Sequence, residues 1–194
     1  GGAFTNIDEV NANAAFDNTA IGGSADITWT ITGVNAVTMG TTTFNNFNQL
    51  VGGDGIDTFN LTGAANITGF IDGGANNDIF NIGSLVNNTG DILGGDDNDT
   101  IFNDAPVLIS NIDGGNGDDI ITNAGNVTTI SGNADNDTIT NTANGVVTTI
   151  LGGADNDTII NVDTGSVQNV DGGSGENTFQ MNDPSIWTIS GVDS

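Results

Sequence analysis

One nonapeptide recurs along the chain every 18 to 21 residues. It is clearest as Gly52-Gly53-Asp54-Gly55-Ile56-Asp57-Thr58-Phe59-Asn60, and it returns from Gly73, Gly94, Gly114, Gly132, Gly152 and Gly172. A fixed period of this length predicts a stack of similar coils, each too small to bury its apolar face alone. The sixth place of the motif holds Asp57, Asp78, Asp99, Asp119, Asp137, Asp157 and Asn177. Stacking brings those side chains into one file. Carboxylates that close repel one another unless a cation lies between them.

The source of that cation follows from composition. The 194 residues include 25 acidic side chains and no Lys, Arg or His, for a net charge of -25. No protein cation exists to neutralise a carboxylate, so counter-ions come from solvent. Nucleic acid and anionic membrane surfaces are excluded as partners because both need basic groups. Cys is also absent, which removes disulfides and thiolate metal sites. No apolar run is long enough to span a membrane, and no signal-peptide pattern is visible. General acid–base catalysis has little to work with, since His, Lys and Tyr are all missing. The Asp couples, such as Asp97 with Asp99, recur in later coils as Asp135 with Asp137 and Asp155 with Asp157. That repetition points to a lattice of ligands rather than one active centre.

Within one coil, two apolar files bracket the motif. Two residues ahead of its first Gly stand Leu50, Ile71, Ile92, Ile112, Ile130, Ile150 and Val170, with Ile189 in the last coil. The eighth place is Phe59, Phe80, Ile101, Ile121, Ile139, Ile159 and Phe179. Both files are expected to point inward from short strands. Thr at the seventh place suits an outward strand position. An Asn follows the eighth place closely in most coils, as Asn60, Asn81, Asn103, Asn123, Asn141 and Asn161. Such a row forms either a stacked amide ladder or a solvent-facing edge.

The turn carries a stereochemical signature. The second place is Gly53, Gly74, Gly95, Gly115, Asn133, Gly153 and Gly173, and the fourth is Gly55, Asn76, Asp97, Gly117, Asp135, Asp155 and Gly175. Both hold only Gly, Asn or Asp, the residues that tolerate a left-handed backbone. A turn so twisted is expected to aim carbonyl oxygens to one side. With the sixth-place carboxylates they would make an all-oxygen shell, the preference of calcium, which takes 6–8 oxygens at about 2.3–2.6 Å in irregular geometry. The expected metal set is therefore the six sixth-place aspartates, the fourth-place residues Asp97, Asp135, Asp155, Asn76, Gly55 and Gly117, and the second-place Gly53, Gly74, Gly95, Gly115 and Gly153.

These segments resemble the repeats-in-toxin calcium nonapeptide, Gly-Gly-x-Gly-x-Asp-x-apolar-x. Residues 52–60 and 114–122 fit it throughout, and the others are near matches; the likeness covers roughly residues 50–180. It implies an all-β, parallel β-solenoid with coils of about 20 residues and several calcium ions in one row. Family repeats run in tandem, two per coil, whereas here each motif alternates with a non-motif half, so calcium is expected on one edge only. Asn177 puts the last site in question.

The ends carry two more likenesses. Residues 29–35 resemble 187–193, and residues 3–10 resemble 43–50. These predict a unit that stacks on copies of itself head to tail, either joined covalently or by contact. Residues 1–50 read as irregular solenoid coils or a junction with an insertion near 37–43, residues 51–191 as the regular calcium-binding solenoid, and 192–194 as a junction. The expected role is a non-enzymatic structural unit of an extracellular fibre or large bacterial adhesin. An ice-binding or carbohydrate-binding module is the alternative. Against ice, the third place has no Thr, and the seventh-place Thr file is broken by Ile79 and Ile120. Trp29 and Trp187 read as core or junction packing, or as exposed platforms.

Overall fold

The structure, a computed structural model, describes residues 9–181 except 85, 88, 89, 143 and 163. The described chain is all β: a parallel β-solenoid with coils about 20 residues apart and no helix. Two sheets line it, one of 11 strands and one of 8. Each motif joins a strand of the second sheet to a four-residue strand of the first, as Gln49–Gly53 leads into Thr58–Leu61.

Register follows the sequence period. In the first sheet Phe59 pairs with Phe80, Phe80 with Ile101, Ile101 with Ile121, Ile121 with Ile139 and Ile139 with Ile159. In the second, Leu50, Ile71, Ile92, Ile112, Ile130, Ile150 and Val170 are successive partners. Both columns face the interior, because side chains alternate across a strand and the apolar set has period two. Trp29, Phe59 and Phe80 form a stack with ring centroids 5.5 and 4.9 Å apart. Trp29 is fully buried there, so it is a packing residue; Trp187 lies outside the described residues. Phe59→Ala should cost about 3–5 kcal/mol by chemical denaturation, since it removes the middle ring of that stack. Phe102→Ala, on the outer face, should change stability by less than about 0.5 kcal/mol.

Gly22 and Gly52 are 30 residues apart, and an antiparallel excursion takes up the surplus. Strand Ala36–Met39 pairs antiparallel with Thr28–Gly33 on one side and Thr42–Asn45 on the other. Asn35 and Asn46 bracket the excursion with φ of 49° and 65°. A short polar side chain tolerates that left-handed turn, so the chain can leave the coil and rejoin it.

The likeness between the two ends is mostly outside the described residues. Its described part behaves unexpectedly: Val10 pairs with Phe44 in the first sheet, whereas Leu50, its sequence counterpart, pairs with Ile71 in the second. Similar sequence at these two points does not mean equivalent position.

The Asn row divides into both expected forms. Asn60 and Asn81 stand at the ninth place, pointing outward, and share an amide hydrogen bond of 2.9 Å. Asn103, Asn123, Asn141 and Asn161 stand at the tenth place, inside. There each Nδ2 donates to the next Oδ1 at 2.8, 2.9 and 2.8 Å. Ile31, Leu61 and Ile82 fill the same interior column in the earlier coils. The column thus changes from packed aliphatic to hydrogen-bonded amide along the stack, with its polar atoms paired.

Candidate functional site: the motif turn

Backbone handedness builds the turn. Every second-place residue from Gly53 to Gly173 has positive φ, including Asn133 at 80°. At the fourth place Asn76, Asp97, Gly117, Asp135, Asp155 and Gly175 are also positive, from 72° to 117°. Gly55 is the exception. It is needed for closeness instead, because a Cβ there would strike the backbone of Ala25 and Asp26 in the coil beneath.

The turn interrupts the sheet ladders, so the backbone N–H groups of its fifth and sixth places need other acceptors. Two side-chain columns supply them in opposite directions. In the inner column, each sixth-place N–H donates to the carboxylate Oδ1 of the following coil. Asp57 donates to Asp78, Asp78 to Asp99 and Asp99 to Asp119 at 2.7 Å, Asp119 to Asp137 at 2.9 Å and Asp137 to Asp157 at 3.0 Å. In the outer column the acceptor belongs to the preceding coil. The N–H of Asn98 donates to Asn77 Oδ1 at 3.2 Å, that of Asp118 to Asn98 at 3.1 Å, that of Asn136 to Asp118 at 2.8 Å and that of Asn156 to Asn136 at 3.1 Å. Sequence reasoning missed this outer column, although the fifth place reads Asn, Asn, Asp, Asn, Asn over those coils.

The second carboxylate oxygen distinguishes the inner column. Asp57, Asp78, Asp99, Asp119, Asp137 and Asp157 are at most 1% exposed. In all six, Oδ2 is buried with no hydrogen-bond partner. It points at the first-place Gly of its own motif, beside the first-place carbonyl of the next coil. A Cβ on Gly73, for instance, would collide with both Asp78 Oδ2 and the Gly94 carbonyl oxygen. Burial without a donor penalises the charged form. Desolvation, offset in part by the backbone hydrogen bond and raised further by neighbouring carboxylates, pushes Asp119 up to about 6, Asp78 and Asp137 to about 7 and Asp99 to about 8. Asp57 and Asp157 also rise, mainly through burial. Asp118 in the outer column is exposed, and the Asn136 backbone N–H holds it below the ordinary value.

The other expected ligands are not gathered with this column. Asp97, Asp135 and Asp155 lie on the exposed rim of the turn, while Asp99, Asp137 and Asp157 are inside it. Asp97 Oδ2 accepts the Asn76 N–H at 3.2 Å. Gly53, Gly74, Gly95, Gly115 and Gly153, and Gly55 and Gly117, enter the turn through backbone alone, while Asn76 also donates its Nδ2 to the Asp54 carbonyl oxygen at 2.8 Å. Among the described residues, no three His, Cys, Asp or Glu side chains cluster as metal ligands do. A cation at this turn would be held by backbone carbonyls and one carboxylate oxygen per rung. That donor set is all oxygen, and its buried Oδ2 atoms lack partners, so the residues fit a hard cation.

No protein-family model matches the chain, and no match was found among curated proteins or solved structures.

Proposed function

We propose that this chain is a calcium-binding structural solenoid of the repeats-in-toxin kind, a unit of an extracellular fibre or adhesin rather than an enzyme. One observation carries the reading: six buried, unpartnered carboxylate oxygens stand in a column of a chain without a single basic side chain. A cation shared between neighbouring coils supplies the missing charge. Binding only to the folded stack stabilises it by about 2.7 kcal/mol per site when the free ion is a hundredfold above its dissociation constant. Calcium at millimolar concentration is found outside cells, so folding is coupled to export. Head-to-tail stacking of copies belongs to the same reading. Ser166–Gly173 and Thr178–Met181 are the last strands of their sheets among the described residues, and a parallel sheet edge left unpaired can take up a strand of another copy.

Titration calorimetry on the chelated protein at neutral pH should count about one calcium per Asp rung, with magnesium much weaker because it demands a stricter octahedron. Circular dichroism should gain strand signal over the same range. Identical melting curves in chelator and in millimolar calcium would remove the calcium reading. Electron micrographs showing only separate particles in calcium would remove the stacking.

A further inference from the structure

The seventh rung differs from the six before it by one functional group. Asn177 stands at the sixth place, and its Oδ1 accepts the Asp157 N–H at 2.7 Å, as a carboxylate would. Its Nδ2 faces Gly172, as Oδ2 faces the first-place Gly in the six Asp copies of the motif before it. There it donates to the Gly172 carbonyl oxygen at 2.9 Å. Both polar atoms of Asn177 are therefore paired, whereas one oxygen of each buried Asp is not. An amide has a donor for a first-place carbonyl, here that of its own motif, and carries no charge; a carboxylate, whose Oδ2 lies beside the first-place carbonyl of the next coil, has neither advantage.

We propose that the sixth place selects, rung by rung, whether the solenoid needs a cation. Asp makes a rung completed by an ion; Asn makes a rung completed by its own amide. The ion row is consequently interrupted after Asp157, and residues 172–180 form a cation-independent rung. This rests on the calcium reading above and adds where the row is interrupted and which atom interrupts it. Because the stability of a solenoid is close to a sum of rung and neighbour terms, an exchange at one rung should be felt mainly there.

Two reciprocal variants of the full chain test it: Asp99→Asn, which creates a self-sufficient rung in mid-row, and Asn177→Asp, which removes the existing one. Each is melted at pH 8 in chelator and in saturating calcium, and the bound ions are counted by calorimetry. Asp99→Asn should melt about 3–6 °C higher than the parent in chelator, gain less from calcium and bind about one ion fewer. Asn177→Asp should melt lower in chelator and gain more from calcium. If the parent keeps its calcium response while Asp99→Asn melts no higher in chelator, or Asn177→Asp no lower, the selector is overturned and the calcium reading stands. If neither the parent nor either variant responds to calcium, the calcium reading itself fails, and the selector with it.

Discussion

Raising the pH of the calcium-free protein from 5 to 8.5 should lower its melting temperature by about 10–20 °C, and millimolar calcium should restore most of the loss. The sign follows from the inner column. Asp78, Asp99, Asp119 and Asp137 have folded-state values of about 7, 8, 6 and 7, above the ordinary 3.8. The folded state therefore binds protons more tightly than the unfolded chain. Its full contribution is present below the unfolded value and is lost as the pH rises through 6 to 8. One pKa unit corresponds to about 1.4 kcal/mol. Even about 5 kcal/mol in total across the coupled column gives the stated shift for a chain of this size. On the proposed calcium reading the ion should reverse the trend, because a metal binds the ionised form of a carboxylate and competes with protons. Melting curves at several pH values, with chelator or calcium, read both effects together. A calcium-free protein that gained stability with rising pH would contradict the burial of these six groups.

Gly94→Ala should unfold the middle of the solenoid, while Gly23→Ala should leave it intact. At Gly94 the new Cβ would fall on the carbonyl oxygen of Gly114 and on Asp99 Oδ2. The first of these is backbone, paired in register through Ile92 with Ile112 and Gly95 with Gly115, so it cannot retreat without prising two coils apart. The second is the carboxylate that accepts the Asp78 N–H. A cost above about 4 kcal/mol is expected from such overpacking combined with a broken polar column. At Gly23 an added Cβ meets nothing within 4 Å. Far-ultraviolet circular dichroism and denaturant melts of the two variants in calcium would show the contrast. Equal stability of the pair would mean that the coils are not stacked as closely as the first-place glycines imply.

Much of this architecture was legible because the motif repeats. A 20-residue period with aliphatic residues at two fixed places determines coils, inward columns and parallel register, since each apolar file must overlie the last to be buried. Left-handed turns were legible from Gly, Asn and Asp at the second and fourth places, because few other side chains tolerate positive φ. Three things had to come from the tertiary structure. Which Asn residues are interior depended on whether they fell at the ninth or tenth place, a one-residue shift that reverses the face of a strand. The 30-residue gap from Gly22 to Gly52 announced an insertion near 37–43, but its antiparallel pairing at Ala36–Met39 and Thr42–Asn45 has no repeat to announce it. The division of labour within each sixth-place Asp, with Oδ1 accepting the neighbouring coil's N–H and Oδ2 unpaired, exists only when coils lie one strand spacing apart. Residue identity determined that a carboxylate would be present at each rung; stacking distance decided which of its oxygens was left without a partner.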